Sequence, residues 1–321
     1  MSPHLNITIL ANSTRVTLIR PAHWIKRRWS HHYLKIIGII LFVYILWGLD
    51  FEKIFEAVRR LADWKICITV ALIILHFFIR TVRWKVIIAS FGINQRWSKT
   101  IIEMGRAYFF GSITPARIGE AVRFQDIYKK SRSLGIGAFS LIFEKLLDLL
   151  IISLIISFCA FLYGWQVLAL IGSISFIVVI TVVTWIFFSQ DSIRWLEKKA
   201  NDLFKINLEM GEKFEIPRLD GILVSGLLTF CTWGLYAVII GSMASTIGIS
   251  NINFLGILFV VCGASLSSAI PLTIAGLGIR EMVIIEFGKS QQMSVELSVA
   301  FSFLFLFVYA VNMILGSLFM L

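Results

Sequence analysis

Arg117, Glu120 and Arg123 recur at three-residue steps in "TPARIGEAVR", a spacing that gathers them on one helix face. Two guanidinium groups so placed can hold a phosphate through paired hydrogen bonds, while Glu120 positions an arginine or meets a cationic headgroup. A self-contained ion-pair network that packs the loop would use the same three residues; the cost of burying charge in a membrane favours a use. Glu144 and Asp148, four residues apart, also share a face, with Lys145 about 100° round from Glu144. These carboxylates could bind the cations of the first cluster, take a proton or a positive headgroup, or snorkel to the membrane interface. In "PLTIAGLGIRE", Arg280 and Glu281 follow Gly276 and Gly278. An arginine in the first turn of a half-helix would reinforce an anion site made by the amides after those glycines, with Glu281 and Glu286 as partners.

Other chemistries lack their residues. No HExxH, G-x-S-x-G, P-loop or pair of catalytic aspartates is present, so no catalytic residue, cofactor or metal is expected. His76 stands alone in an apolar run and reads as packed or pore-facing, without the partners of a zinc site. Cys67, Cys159, Cys231 and Cys262 are single residues within apolar runs and read as small buried hydrophobes.

The elements that must position these groups are membrane helices. Hydrophobic residues make up 58% of the 321, charged residues 15%, and the mean hydropathy is +0.86. That composition describes an all-α polytopic membrane protein, and the long unbroken apolar runs exclude a β-barrel. The formal charge of +11 is uneven: residues 1–49 hold Arg15, Arg20, Lys26, Arg27, Arg28 and Lys35 and no acid. A basic flank before the first apolar run places the N-terminus in the cytoplasm and suits anionic lipid better than nucleic acid. "LNITILA" is too short for a signal peptide.

About six spans and four regions follow. Residues 1–32 form the basic segment, 33–188 a first membrane half, 189–217 a cytoplasmic linker and 218–321 a second half. The spans begin at Tyr33–Leu49, after which 47–64 reads as an interfacial helix. "WKICITVALIILHFFIRTVRWK" returns, its Arg80, Arg83 and Lys85 marking the cytoplasmic side. Segments Leu134–Tyr163 and Trp165–Phe188, the run from Asp220 to Ile249, and the C-terminal run complete the set.

Two segments are expected to be re-entrant hairpins. The stretch around "TPARIG" carries Glu103, Arg106, Arg117, Glu120 and Arg123 and is broken at Pro115 and Gly119, too charged for a lipid-facing helix. Its half-helix should begin at Ile118. The second break, at Pro271, Gly276 and Gly278, precedes a half-helix from Ile279. Counting orientations, the three elements of the first half recur upside down in the second, the inverted-repeat plan of many transporters. Alternatively Phe254–Ile270 crosses fully, and Ile279–Phe287 lies at the interface with Arg280 at the surface. Two stretches of irregular backbone at membrane depth imply a polar cavity.

"TPARIGEAVRFQDIYKK", "FEKLLDLL" and "AIPLTIAGLGIREMVIIEF" resemble, in order and spacing, three signatures of the lysylphosphatidylglycerol synthase transmembrane-region family of flippase-like membrane proteins. The resemblance runs from about Trp64 to the end. It implies a cell-membrane protein that moves a phospholipid or lipid-linked headgroup between leaflets. Combined with the residue chemistry above, the expected mechanism places Arg117, Arg123 and Arg280 on the phosphate and has Glu120, Glu144, Asp148 and Glu281 balance cations or protons. The family often has Glu-Arg where this chain has Glu144 and Lys145, and Gly where it has Ala275. Fused synthases continue into a soluble aminoacyl-transfer domain; here the chain ends at Leu321, so synthase activity is not expected. The competing expectation is a non-transporting scaffold for a partner lipid-modifying enzyme such as a glycosyltransferase.

Overall fold

The computed structural model describes residues 65–124, 134–188, 218–269 and 278–319, with Glu52, Ile127 and Lys198. The first expected span, the interfacial helix, most of the linker, Pro271 and Gly276 lie outside the described residues. The described chain is helical: α1 (Lys65–Ser90), α2 (Trp97–Ile113), a 3-10 segment (Pro115–Ala121), α3 (Leu134–Leu162), α4 (Gln166–Phe188), α5 (Leu219–Thr246), α6 (Phe254–Ala269), α7 (Ile279–Ser290) and α8 (Val295–Ser317). Five of these, α1, α3, α4, α5 and α8, contain stretches long and apolar enough to cross a membrane. The fold is that of an all-α polytopic membrane protein.

α6 is described over 16 residues, about 24 Å at about 1.5 Å per residue. It forms a hairpin with α7: a Cβ on Gly256, near the start of α6, would lie 3.1 Å from the Phe287 ring near the end of α7. Tyr163, just beyond α3, stands edge-on to the same ring at 5.9 Å and donates to Asn253 Oδ1 at 2.9 Å. The α6–α7 hairpin therefore opens beside the C-terminal end of α3.

The first hairpin opens at the other end. Phe91, just beyond α1, packs edge-on against Phe139 and Phe143 early in α3, and Phe124 covers Gly137 there. Lys85 Nζ lies 4.5 Å from the ring centre of Trp97, at the start of α2, and donates to the Gln95 carbonyl. The chain thus enters α2 and leaves the 3-10 segment beside the N-terminal end of α3.

Neighbour relations repeat between the two halves. α1 lies along α5; α2 packs on α8 as α6 packs on α3; and α1 meets α2 as α5 meets α6. α4 stands outside this exchange and packs on α3. Small residues allow the closest approaches: a Cβ on Gly316 of α8 would sit 2.7 Å from the Gly105 carbonyl of α2. Between α3 and α4, Ser157 Oγ meets Ser173 Oγ at 2.6 Å.

Two local expectations are corrected. After the first break the chain forms a 3-10 segment starting at Pro115, in place of an α-helix from Ile118. Cys67 and Cys231 are exposed, whereas Cys159 and Cys262 are buried; alternate helix faces look outward, where lipid is the natural solvent for a thiol.

Candidate functional site

The first break is built on a threonine and a glycine. The Thr114 hydroxyl donates to the Phe110 carbonyl and accepts from the Gly119 amide, both at 2.7 Å. A Cβ on Gly119 would lie 2.2 Å from the Phe110 carbonyl oxygen, so no other residue fits without moving the turn. Arg117 adopts φ +55°, a left-handed conformation that disfavours side chains. Because a 3-10 turn has about 3.0 residues, Arg117, Glu120 and Arg123 stack on one side.

That side meets α1 and α3. Glu120 contacts Arg117 at 2.8 Å and Lys145 at 2.5 Å, with Arg123 at 3.6 Å and Arg80 at 3.9 Å. Glu144 bridges two buried guanidinium groups, Arg83 and Arg123, each at 2.7 Å. Asp148 Oδ1 accepts from Arg83 at 2.6 Å, and Arg83 also donates to Thr229 on α5 at 3.3 Å. Arg123 stacks over Trp84, its guanidinium carbon 4.1 Å from the ring centre. With Glu144 fully buried and ion-paired, interfacial snorkelling is ruled out.

Among the described residues, five cations (Arg80, Arg83, Arg117, Arg123 and Lys145) thus face three carboxylates (Glu120, Glu144 and Asp148), with Lys145 half-exposed and Arg117 partly so. Burial alone would raise the pKa of Glu120; Arg117, Lys145, Arg80 and Arg123 override it and hold the carboxyl well below its ordinary value. Glu120 is accordingly an anion at physiological pH.

The second break is arranged differently. Gly278, the N-cap of α7, has φ +87°, and its amide donates to Glu281 Oε2 at 2.6 Å. The carboxylate of the chain itself occupies the helix start that was expected to receive an external anion. Arg280 Nη2 pairs with Glu281 Oε1 at 2.5 Å with neither side chain exposed, in place of an exposed surface ion pair. Glu286 serves another partner, Lys289, at 2.9 Å on the exposed face.

Both breaks reach one interior region. Arg117 lies 5.8 Å from the ring centre of Tyr309, and Arg280 lies 5.9 Å from that of Phe305, one turn earlier on α8. Tyr236 on α5 stands 6.1 Å from Phe305 and 5.6 Å from His76, ring to ring. It is within electrostatic reach of Tyr309, Arg117 and Arg280. Arg123 and Glu144, by contrast, are enclosed among protein groups.

The profile of the Lysylphosphatidylglycerol synthase TM region family matches residues 34–316. The chain belongs to that family. A search of curated proteins returned no match.

In this Lysylphosphatidylglycerol synthase TM region protein several site-lining residues escaped the sequence reading. Their place at the end of an apolar run marks Arg80 and Arg83 as cytoplasmic anchors, yet both are buried and face the carboxylates of α3. His76, Arg80 and Arg83 follow i, i+4, i+7 spacing, which marks one helix face; that stripe opposite Glu144 and Asp148 was the available signal. Tyr108, whose hydroxyl accepts from Arg80 at 3.3 Å, and Tyr236 and Tyr309 carried no comparable pattern. No group of histidine, cysteine and carboxylate residues suited to a metal occurs among the described residues.

Proposed function

We propose that this membrane protein moves a phospholipid or lipid-linked headgroup between leaflets of the cell membrane, without covalent chemistry, the N-terminus being cytoplasmic. The observation that carries the reading is the cluster at the first break in which, among the described residues, five cations face three carboxylates, with Arg117 and Lys145 keeping part of their side chains exposed: a site with more cations than acids favours a phosphate. In this mechanism α2 with its 3-10 segment and α6 with α7 are re-entrant, and the headgroup travels along the polar interface between the halves while its acyl chains stay in lipid. Arg117 and Arg80, each with an Nε that is buried and lacks a hydrogen-bond partner among the described residues, meet the phosphate. Arg83, Arg123 and Glu144 fix the frame on which those two arginines are held.

The test is leaflet exchange of fluorescent phospholipids by the purified chain in reconstituted vesicles. Arg117→Ala should slow exchange at least tenfold while the protein remains folded. Unchanged exchange of every tested lipid in both Arg117→Ala and Arg280→Ala would remove the anion site. A complete lack of exchange by the native chain, with stable co-purification of a lipid-modifying enzyme, would favour the scaffold role.

A further inference from the structure

Arg106 stands apart from the cluster at the first break, although α2 carries both. Met104 and Tyr108, two residues to either side of it, lie about 160° round the helix, and both look inward. The Tyr108 hydroxyl accepts from Arg80 at 3.3 Å, and Arg123 Nη1 lies 4.0 Å from Met104 Sδ. Gly111 shares that side, where a Cβ would come 2.8 Å from Glu120 Cγ. A second side of α2 is taken by α8: a Cβ on Gly316 would lie 2.7 Å from the Gly105 carbonyl oxygen and from the Phe109 amide. The sides that meet α1, the 3-10 segment and α8 are thus assigned to other residues. What is left carries Lys99, Ile102 and Arg106 at i, i+3, i+7, and there Ile102 is exposed and Arg106 partly so.

The charge on this outward side is unbalanced. The Arg106 guanidinium has no hydrogen-bond, ion-pair or ring partner among the described residues. Glu103, the one acid of α2, is buried, accepts from Gln95 Nε2 at 2.5 Å and lies 3.9 Å from Lys99; Arg106, one turn further on, makes no such pair. A guanidinium stays charged, and facing hydrocarbon without a counter-charge is costly. Its acceptor therefore comes from outside the chain. In a bilayer the acceptor at hand is a lipid phosphate, which a guanidinium takes through paired hydrogen bonds.

We propose that Lys99, Ile102 and Arg106 form a binding site for the phosphodiester of a resident phospholipid drawn from the surrounding bilayer, on the side of α2 turned away from Glu120. Arg106 holds the phosphate. Lys99, two turns nearer the start of α2, adds a second cation, and Ile102 covers the first part of an acyl chain. The site goes beyond the lipid-moving reading and stands whether or not the protein moves lipid.

Phosphatidylglycerol and the diacylglycerol with the same chains, added to the purified full chain in detergent and followed by native mass spectrometry, test it. An Arg117→Ala background keeps lipid in the interior cluster from contributing. That background should retain phosphatidylglycerol at least tenfold more than diacylglycerol, and adding Arg106→Gln should abolish the difference. Equal retention with and without Arg106→Gln overturns the site. Equal retention of the two lipids before that change also overturns it, and leaves Arg106 as a side chain reaching the aqueous interface. Because Arg106 has no partner among the described residues, Arg106→Gln should not lower the melting temperature in lipid-free detergent; a fall of several degrees would make Arg106 a structural contact and counts against the site. An excess of inorganic phosphate should leave the lipid bound, whereas release would assign the cations to a soluble anion. Loss of a second protein in place of lipid on Arg106→Gln would overturn the choice of occupant. Preference for phosphatidylglycerol at Arg106 without leaflet exchange by the native chain keeps this site and sinks the lipid-moving reading.

Discussion

Arg123 and Glu144 meet at 2.7 Å with neither side chain exposed, and this contact fastens the strained first hairpin to α3. Glu144 lies ten residues after Leu134, where α3 begins, or about 15 Å along the helix. Its other oxygen holds Arg83 at 2.7 Å, so one carboxylate unites α1, α3 and the segment following the break.

Glu144→Leu should therefore destabilise strongly. It strips the close partner from Arg123 and one of two from Arg83, and breaking a buried pair costs about 3–5 kcal/mol. Asp148→Leu should cost clearly less, because Asp148 is partly exposed and Arg83 keeps Glu144. Thermal melting of both variants in detergent checks the order; equal shifts would contradict the central role given to Glu144.

The difference between these carboxylates was not visible in the sequence. Their shared face was, and so were the break after Thr114 and the approximate limits of the long helices. The depth of Arg80 and Arg83 was not. Counting cations at an apolar run's end treats Arg80, Arg83 and Lys85 alike, but α1 continues through "VIIAS" to Ser90. Arg80 is then about 15 Å and Arg83 about 10 Å from the helix end, too deep for solvent and opposite the acids of α3. Nor could spacing reveal that Glu281 folds back onto Gly278, since the same residues at a helix start suit either an internal cap or an external anion.

Arg117 holds a conformation that glycine adopts freely, with φ +55°. Arg117→Gly should consequently be more stable than Arg117→Ala, by about 1 kcal/mol, although both lose the contact with Glu120. Both should lose lipid exchange alike. Comparing the two melting temperatures isolates the backbone contribution from the charge; an alanine variant as stable as the glycine variant would show that the turn carries no strain.

Acidity should have little effect above pH 5. Glu120 has its folded pKa depressed, so the stability it contributes is fully present above the unfolded value of about 4.3 and is lost only as pH falls through the lowered folded value. Exchange rates and melting temperatures measured from pH 5 to 8 should be flat with respect to this group. A tenfold change in exchange across that range, abolished by Glu120→Gln, would instead assign Glu120 a proton-carrying role.

The opposed hairpins make a topological prediction. Ser250 precedes α6 and Ser290 ends α7, and both are exposed; because Gly256 and Phe287 bring those ends together, the two positions should face the same aqueous compartment. Ser98, near the start of α2 and also exposed, should face the other one, since that hairpin opens beside the opposite end of α3. Single cysteines at these positions, in a background with Cys67 and Cys231 replaced, can be labelled by an impermeant maleimide in sealed, uniformly oriented vesicles. Labelling of Ser250→Cys and Ser290→Cys from opposite sides would restore the full crossing through α6. Labelling of Ser98→Cys from the same side as those two would dissolve the inverted arrangement, and with it the argument that two breaks from opposite faces supply Arg117 and Arg280 to one interior.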